Sequence, residues 1–333
     1  MKPIIILGEG AWGTAIATLL AHNGYDVLLW CYHAEIADEI NSSHQNSRYL
    51  PDIMLDEKIK ATSDIQKAIT SGQWIFEAIP VKYLRSICQR AKPFINQQHI
   101  WVVLSKGIEN KTLLFPSEII KEVFDMAVPI AVFAGPSFAH DVATRSITAV
   151  TIAAINCDIA TQLQKKLTND FFRPYTSTDV IGVQVGAALK NVITLAIGML
   201  DGAGYSDNAK AFIFTRGLAE MGLLTRVLGG KEETVYGLSG IGDLVLTSMG
   251  EQSRNRRVGK LLGKGESLDH ILTSTGYIPE GINTVQSLYD LMKQHHVVLP
   301  ICVGMYEIIF KQKLLSDFLK EFMARPLDWE CAL

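Results

Sequence analysis

The first third of the chain alternates short apolar runs with amphipathic stretches. The apolar runs predict strands at Ile4–Leu7, Val27–Cys31, Trp74–Ala78, Ile100–Leu104 and Ile130–Ala134. Helical spacing predicts a helix over Trp12–Asn23, ended by Gly24, and further helices near 34–41, 81–91 and 115–125. Ala149–Ala154 and Phe172–Thr176 are candidates for later strands. Because strands that alternate with helices usually pair in parallel, this pattern predicts an α/β domain with a doubly wound sheet.

The pattern changes near Asp179, where strand-like runs largely stop. Helical spacing then predicts helices at Ile181–Leu200, Ala209–Leu228, Arg256–Leu262, Thr284–His295 and Pro300–Ile309. We therefore expect an α/β domain at residues 1–179 and an all-helical domain at residues 180–333. No long Ser- or Pro-rich linker separates them, so a helix is expected to carry the chain across.

Composition narrows the class of protein. The chain has 333 residues, with 31 basic and 34 acidic ones, for a formal net charge of −3. This balance argues against nucleic-acid binding, and the 48% hydrophobic content argues against disorder. The apolar run at Ile4–Leu7 is too short for a signal peptide, and the one at Ile181–Leu200 contains Gln184, Lys190 and Asn191, which are costly in lipid. We expect no membrane span.

Cysteine and histidine spacing does not favour a metal centre. The five cysteines are Cys31, Cys88, Cys157, Cys302 and Cys331, an odd number without a CxxC pair. Neither a disulfide framework nor a zinc site is indicated, and a reducing cytoplasm is the expected location. His295 and His296 are adjacent, so a helix would point them apart.

Gly8, Gly10 and Gly13 form a GxGxxG pattern between the first predicted strand and the first predicted helix. Gly8 permits a tight turn, Gly10 allows the backbone to approach a pyrophosphate, and Gly13 allows the helix to pack closely on the strand. The helix N-terminus would offer free N–H groups to the phosphates. In this context the pattern predicts a dinucleotide site for NAD or NADP, although an ordinary glycine-rich turn is the alternative.

The end of the second predicted strand bears on the choice between NAD and NADP. It reads Trp30–His33, and the first acidic residue, Glu35, comes later. The segment thus lacks a carboxylate to repel a 2′-phosphate, which permits NADP. Tyr32 and His33 could contact the cofactor or be ordinary surface residues. Because the segment has no arginine to hold a phosphate, the preference stays open.

Two lysines occupy positions that suit chemistry. Lys106 follows the run Ile100–Leu104, and the carboxyl ends of parallel strands face the ligand crevice. The alternative is a solvated surface lysine. Lys190 lies beside Asn191 on an apolar helix, where it either extends to solvent or is held in a cleft and transfers a proton.

Three polar segments contain further candidates for ligand-binding or catalytic residues. Gly135–Ala139 follows a predicted strand and either contacts a ligand or forms a plain capped turn. Gly237–Asp243 ends in a carboxylate that could orient a lysine or cap the helix Leu244–Thr247. Ser253–Arg257 combines hydroxyl, guanidinium and amide donors at a predicted helix start, as in an anion site, or forms a solvated basic face.

Together these motifs resemble the bacterial-type NAD(P)-dependent glycerol-3-phosphate dehydrogenases over essentially the whole chain. The resemblance rests on ordered motifs at matching spacing: Gly8–Ala15, Ser105–Gly107, Gly135–Ala139, Ala188–Asn191, Asp207–Lys210, Thr215–Gly217, Gly240–Leu244 and Ser253–Arg257. It implies a dinucleotide-binding domain at residues 1–179, an all-helical substrate domain at residues 180–333, and a homodimer. The implied reaction is the reversible reduction of dihydroxyacetone phosphate to sn-glycerol 3-phosphate for phospholipid synthesis, with no metal.

The resemblance also implies roles for individual residues. Lys190 corresponds to the acid/base residue, with Lys106 and Asp243 beside it in catalysis. The positions that match substrate contacts are Lys106, Gly135, Ser137, Lys190, Asp243, Ser253, Arg254 and Asn255. Those that match cofactor contacts are Ala11, Trp12, Tyr32, Lys106, Ala139, Arg254, Ile278 and Glu280, to which the motif analysis adds Gly8, Gly10, Gly13 and His33. Many relatives carry Arg or His in place of Tyr32, which weighs against a strong NADPH preference.

Two other functions fit part of the pattern. A related two-domain dehydrogenase could use another phosphorylated or acidic hydroxy or keto substrate, and the basic Ser253–Arg257 segment favours a phosphorylated one. A non-catalytic NADPH-binding sensor would need no proton donor, so Lys190 counts against it.

Overall fold

The structure, a computed structural model, describes residues 2–326 and divides into two compact units. The α/β unit runs to Lys106 and resumes with Leu114–Val180, whereas the helical unit combines Gly107–Leu113 with the chain from Ile181 onward. The sequence-based division at residues 179 and 180 did not anticipate this excursion. The hydroxyl of Ser287 donates to the carbonyl of Ile108 at 3.1 Å, which ties the short segment to the helical unit. Cys331 lies outside the described residues.

The α/β unit is built on one eight-stranded sheet in the order β3-β2-β1-β4-β5-β6-β7-β8. The strands are β1 (Ile4–Leu7), β2 (Val27–Trp30), β3 (Ile59–Thr62), β4 (Trp74–Glu77), β5 (Ile100–Val103), β6 (Ile130–Ala134), β7 (Thr148–Ala154) and β8 (Phe172–Ser177). Neighbouring strands pair in parallel except β6 and β7, which are antiparallel. The order reverses direction between β1 and β4, which is where such sheets open a ligand crevice.

Helices connect most of these strands. They are α1 (Ala11–His22), α2 (Ala34–Ser43), α3 (Ile65–Ser71), α4 (Val81–Ala91), α5 (Pro116–Phe124), α6 (Ala139–Ala143) and α7 (Cys157–Leu167). The central strands are continuous apolar runs because the sheet is covered on both faces. β1, for example, is Ile-Ile-Ile-Leu and wholly buried.

Within residues 181–326, the regular secondary structure of the second unit is entirely helical. It contains α8 (Val180–Gly202), α9 (Asp207–Val227), α10 (Asp243–Met249), α11 (Arg254–Gly263), α12 (Leu268–Thr275), α13 (Glu280–Gln294), α14 (Pro300–Lys311) and α15 (Leu315–Met323). The predicted fold class, a Rossmann-type sheet followed by an all-helical domain, is confirmed. The sequence analysis did not identify β3, α3, α7, α12 or α15.

Helix α8 is the central element of the helical unit. By length and composition alone it could cross a membrane, but 89% of its most apolar window is buried inside the protein. Helix α11 packs closely along it through glycines: a Cβ at Gly198 would lie 2.5 Å from the carbonyl oxygen of Arg256, and one at Gly259 would lie 2.3 Å from that of Leu195. This contact fixes the start of α11, and with it Ser253 and Arg254, relative to α8.

Candidate active site

Lys190 and Asp243 form a buried ion pair inside the helical unit. The ammonium Nζ of Lys190 donates to Oδ1 of Asp243 at 2.7 Å and to the hydroxyl oxygen of Thr247 at 2.9 Å. Lys190 is 7% exposed and Asp243 is 1% exposed. A charged lysine is costly to bury alone, so the carboxylate and hydroxyl stabilise its ammonium form.

Local backbone geometry brings the two side chains together. Lys190 lies in the middle of α8, and Asp243 opens α10 directly after a π-helical turn, Leu238–Gly242. A Cβ at Gly186 would lie 2.6 Å from the carbonyl oxygen of Ser239, so only glycine lets this turn approach α8 so closely. Of the two readings that the sequence left open for Asp243, the structure shows a carboxylate bonded to a lysine.

Thr247 is a site residue that the sequence analysis missed. Its hydroxyl donates to the backbone oxygen of Asp243 at 2.6 Å, one helical turn earlier. Because that bond takes the hydroxyl hydrogen, the oxygen is available to accept from Lys190. The spacing of four residues after Asp243 on a predicted helix was the available signal.

In the basic segment Ser253–Arg257, some side chains bond to other parts of the protein and others are exposed to solvent. Ser253 caps α11 by accepting the N–H of Arg256 at 3.2 Å. The guanidinium of Arg256 donates to Asp201 at 3.0 Å, and Lys260 lies 3.5 Å from the same carboxylate. Arg254 is exposed, with its guanidinium carbon 5.7 Å from the ring centre of Tyr277.

Asp201 remains ionised within this basic group. Burial acts to raise the pKa of Asp201, but the hydrogen bond from Lys210 and the charges of Lys260 and Arg256 outweigh it and lower that pKa below its ordinary value. Asp201 is therefore the shared carboxylate partner of Arg256 and Lys260. Within this segment, Arg254 and the cap at Ser253 are the better candidates for binding an anion.

Asn255 joins three helices near Lys190. Its side-chain N–H donates to Oδ1 of Asn191 on α8 at 2.9 Å, and its own Oδ1 accepts the backbone N–H of Gly281 on α13 at 3.0 Å. These bonds place the first turn of α13, which begins at Glu280, beside α8 and α11. Ile278, just before that helix, is 45% exposed.

In the α/β unit, the three glycines of the GxGxxG turn differ in their surroundings. Gly8 has φ +116°, and a Cβ there would lie 2.8 Å from the carbonyl oxygen of Ala78. A Cβ at Gly13 would lie 2.1 Å from the oxygen of Gly8, whereas one at Gly10 would meet no atom within 4 Å. Gly10 is the N-cap of α1 and provides no side-chain cap. Open space before an uncapped helix N-terminus fits a dinucleotide pyrophosphate.

Ala11 and Trp12 continue from this turn into the first turn of α1. The indole ring of Trp12 lies 5.6 Å from the ring of Phe133, measured between ring centres. Its N–H is buried and, in the part of the chain that the structure describes, has no hydrogen-bond partner. A buried donor without a partner in the first turn of α1 fits a site for a polar ligand.

The end of β2 differs from the prediction. The sequence showed no carboxylate there, but the side chain of Glu9 reaches it from the GxGxxG turn: Oε2 accepts the backbone N–H of Tyr32 at 2.9 Å, and Oε1 lies 2.7 Å from Nδ1 of His33. Burial, and then the charge of Glu9, raise the pKa of Cys31 to about 12. The segment itself has no acidic residue, but the expectation that no carboxylate lies at this strand end is wrong.

An arginine also approaches the same strand end, which the local sequence did not show. The guanidinium carbon of Arg90, on α4, lies 5.9 Å from the ring centre of Tyr32 and 5.5 Å from that of Trp30. Tyr32 is 63% exposed. A chain segment distant in sequence therefore contributes a positive charge beside the predicted cofactor residue.

Lys106 follows β5 at the carboxyl edge of the sheet, as expected from the sequence. The preceding Ser105 is held by the buried carboxylate of Glu77, at the end of β4, through a hydroxyl bond of 2.6 Å. Gly107 then turns the chain with φ +137°. Glu77 was not identified from the sequence, where it appeared only as the end of an apolar run.

The segment Gly135–Ala139 follows β6 and begins α6. Gly135 has φ +149°, and a Cβ there would lie 2.8 Å from Cα of Val150, so the backbone path requires glycine. The hydroxyl of Ser137 donates to the carbonyl of Gly135 at 3.0 Å, and Ala139 is the first residue of α6. Within the described residues, no group of three or more His, Cys, Asp or Glu side chains could hold a metal ion.

Two family models match the chain. One, described as the N-terminus of NAD-dependent glycerol-3-phosphate dehydrogenase, matches residues 3–160, and the other, described as the C-terminus, matches residues 179–320. These two matches cover most of the α/β and helical units, respectively.

Individual relatives agree with the family models. Glycerol-3-phosphate dehydrogenase (NAD(P)+) of Bacillus licheniformis is 43% identical over 328 residues, which cover 98% of this chain and 95% of that protein. The protein of the same name from Leuconostoc mesenteroides is 41% identical over 99% of this chain and 100% of its own length. The crystal structure of glycerol-3-phosphate dehydrogenase from Coxiella burnetii is 35% identical, with a TM-score of 0.93 and coverage of 97% of this chain and 99% of that one.

Proposed function

Because the chain belongs to the NAD-dependent glycerol-3-phosphate dehydrogenase family, we propose that it interconverts dihydroxyacetone phosphate and sn-glycerol 3-phosphate with NAD(P). The observation that supports this most directly is the buried Lys190 with its acceptors Asp243 and Thr247, in the same unit as the basic start of α11. A proton donor and a phosphate-binding segment are the two features that this substrate requires.

The reaction creates negative charge at the carbonyl oxygen of the substrate. A dinucleotide held by the GxGxxG turn would supply the hydride for the carbonyl carbon. Lys190, as an ammonium, polarises that carbonyl and gives its proton to the oxygen that becomes the alcohol. Asp243 and Thr247 hold the ammonium in one orientation, and in the reverse direction the neutral amine accepts the proton. Lys106, in the α/β unit, is proposed as a further source of positive charge for the substrate.

The start of α11 binds the substrate phosphate. Arg254 supplies a guanidinium, which matches phosphate geometry, and Ser253 and Asn255 supply neighbouring polar groups. Attraction to the helix N-terminus adds to this binding. Holding the phosphate at a distance from the reacting carbon positions the carbonyl for hydride transfer. Gly135 and Ser137 contribute further substrate contacts.

The GxGxxG turn binds the dinucleotide. Gly8 and Gly13 shape the turn, Gly10 leaves space for the pyrophosphate, and the first N–H groups of α1 donate to it. The other proposed cofactor contacts are Ala11, Trp12, Tyr32, His33, Lys106, Ala139, Arg254, Ile278 and Glu280. We further propose that the protein is a homodimer that acts in the cytoplasm. Its product, sn-glycerol 3-phosphate, would serve phospholipid synthesis.

One absorbance assay tests the activity. The purified protein is mixed with NADH or NADPH and with dihydroxyacetone phosphate, and the loss of absorbance at the dinucleotide band is followed over time. We expect oxidation with dihydroxyacetone phosphate and very little with unphosphorylated dihydroxyacetone or with ketopantoate. Equal rates with the unphosphorylated ketone would reject the phosphate site, and dinucleotide binding without any oxidation would indicate a sensor.

A further inference from the structure

The carboxylate of Glu9 occupies the end of β2 although it comes from a different part of the chain. One of its carboxylate oxygens accepts the backbone N–H of Tyr32, and the other lies at hydrogen-bond distance from the ring Nδ1 of His33. Glu9 is 6% exposed, so its side chain is held inside the turn rather than extended into solvent. It also directly precedes Gly10, where a Cβ would meet no atom within 4 Å.

This position coincides with the place where dinucleotide-binding folds distinguish the two cofactors. In such folds an acidic side chain at the end of the second strand binds the 2′-hydroxyl of the adenosine ribose, and NADP replaces that hydroxyl with a phosphate. β2 itself ends in Trp30 and supplies no acid. Glu9 brings a carboxylate to the same strand end from the preceding turn.

The chemistry of the carboxylate favours a hydroxyl over a phosphate. A carboxylate oxygen has two acceptor sites, so each oxygen of Glu9 can accept a ribose hydroxyl while it keeps its bond to the protein. The 2′-phosphate is an anion with little or no hydrogen to donate. It would be repelled by a carboxylate that is largely removed from solvent, where screening is weak.

Two basic side chains lie near the end of β2. The ring Nδ1 of His33 is bonded to Oε1 of Glu9 at 2.7 Å, which uses one acceptor site of that oxygen and leaves the other open. The guanidinium of Arg90 faces the rings of Trp30 and Tyr32 at 5.5 and 5.9 Å. Its contact with these two aromatic rings accounts for its position.

We propose that Glu9 is the residue that sets the cofactor preference of this chain, and that it favours NADH over NADPH by accepting the ribose hydroxyls and repelling a 2′-phosphate. This proposal rests on the proposed function in one respect, which is that the GxGxxG turn binds a nicotinamide dinucleotide.

The test measures binding rather than turnover. Dissociation constants for NADH and NADPH are determined by quenching of tryptophan fluorescence, without substrate, for the wild type and for Glu9→Gln. We expect the wild type to bind NADH at least about tenfold more tightly than NADPH. In Glu9→Gln we expect the ratio of the two dissociation constants to shift by about tenfold toward NADPH. The control Glu35→Gln removes the same charge from an exposed position on α2 and should leave the ratio within about twofold.

A second variant separates charge from packing. Glu9→Asp keeps the negative charge and should keep the NADH preference. If circular dichroism shows that Glu9→Gln does not fold, the ratios of the NADH and NADPH dissociation constants in the wild type and in Glu9→Asp still test the proposal. Equal or tighter binding of NADPH by the wild type, or an unchanged ratio in folded Glu9→Gln, would overturn the proposal. Tight NADPH binding that is lost in Arg90→Gln would identify a phosphate site instead.

These outcomes are distinguishable from failure of the proposed function. A normal NADH preference in binding, together with no oxidation of either dinucleotide by dihydroxyacetone phosphate, would reject the dehydrogenase activity and leave the role of Glu9 intact. Failure to bind either dinucleotide would reject both.

Discussion

The ammonium of Lys190 lies 2.7 Å from Oδ1 of Asp243, and both side chains are almost fully buried. An ion pair removed from water in this way does not by itself make a protein more stable, since its desolvation cost is comparable to its attraction. Its retention in the middle of a largely apolar helix is better explained by the proposed role of Lys190 as a proton donor, which the pair would keep in a fixed position.

Removing the ammonium should abolish turnover without preventing dinucleotide binding. We expect Lys190→Ala to lower kcat with dihydroxyacetone phosphate by at least about a hundredfold, because the developing alkoxide loses its proton donor. Fluorescence titration should give a nearly unchanged dissociation constant for NADH. The control Lys67→Ala removes an exposed lysine from α3 and should retain wild-type kcat. Turnover of Lys190→Ala close to that of the control would reject the assigned role.

Removing the carboxylate of the Lys190–Asp243 pair should destabilise the protein. In Asp243→Leu the buried ammonium of Lys190 loses its countercharge, and we expect the free energy of unfolding, from urea titration, to fall by about 3 kcal/mol. The double variant Lys190→Met, Asp243→Leu should recover much of that stability but no activity. If the double variant were as unstable as Asp243→Leu, the loss would come from packing around α10 rather than from an unpaired charge.

The assignment of the phosphate to Arg254 predicts an effect that depends on the substrate. We expect Arg254→Ala to raise the KM for dihydroxyacetone phosphate by at least about tenfold, as expected for the loss of a charge-assisted bond. The slow rate with unphosphorylated dihydroxyacetone should change little. Arg257→Ala removes a neighbouring exposed arginine and is the matched control. An equal rise in KM in both variants would indicate a general electrostatic effect instead of a specific anchor.

Much of the fold could be predicted from the sequence because its signals are local. The apolar strands β1, β2, β4, β5 and β6 are nearly continuous runs, and α8 and α9 are long enough to show helical spacing. β3 reads Ile-Lys-Ala-Thr and has an exposed lysine, so its apolar pattern is too weak to indicate a strand. The antiparallel pairing of β6 with β7 depends on how the chain returns to the sheet edge, which local periodicity does not determine.

The candidate site could be predicted only in part, because some of its contacts join residues that are far apart in sequence. Motif residues such as Gly8, Lys190 and Asp243 carry recognisable neighbours in sequence. Glu9 lies inside the same glycine motif, but nothing in the motif indicates that its side chain accepts the backbone N–H of Tyr32, 23 residues away. Arg90 likewise reaches Tyr32 from another helix. Contacts of this kind arise from tertiary packing and leave no periodic pattern.

The close packing of α11 on α8 can be tested with alanine at a glycine contact. In Gly259→Ala the added methyl would lie 2.3 Å from the carbonyl oxygen of Leu195, so the helices must separate. We expect the free energy of unfolding to fall by about 2 kcal/mol and the KM for dihydroxyacetone phosphate to rise, since Arg254 moves with α11. In Gly222→Ala the three nearest atoms to the methyl all belong to the flexible side chain of Glu232, the closest at 3.2 Å. That variant should be unaffected or slightly more stable, and equal losses in both would contradict the steric explanation.

A buried carboxylate outside the candidate site predicts how stability depends on pH. Glu220, on α9, accepts the backbone N–H groups of Ile301 and Cys302 at 2.6 and 3.2 Å, in the first turn of α14. Burial raises the pKa of Glu220 from 4.5 to about 7, against the opposing effect of those hydrogen bonds. The folded state therefore binds the proton more tightly than the unfolded state does.

The sign of the effect follows from that difference. For a carboxyl group with a raised pKa in the folded state, the stabilising contribution is fully present below pH 4.5 and is lost as the pH rises through about 7. We expect this group alone to lower the free energy of unfolding by about 3 kcal/mol across that range. Glu220→Gln should be less stable at low pH, because the amide offers one acceptor oxygen, but should lack this slope. The measurement is urea unfolding of both proteins between pH 5 and 8. Parallel stability curves would mean that Glu220 has an ordinary pKa, and that the two hydrogen bonds from α14 fully offset its burial.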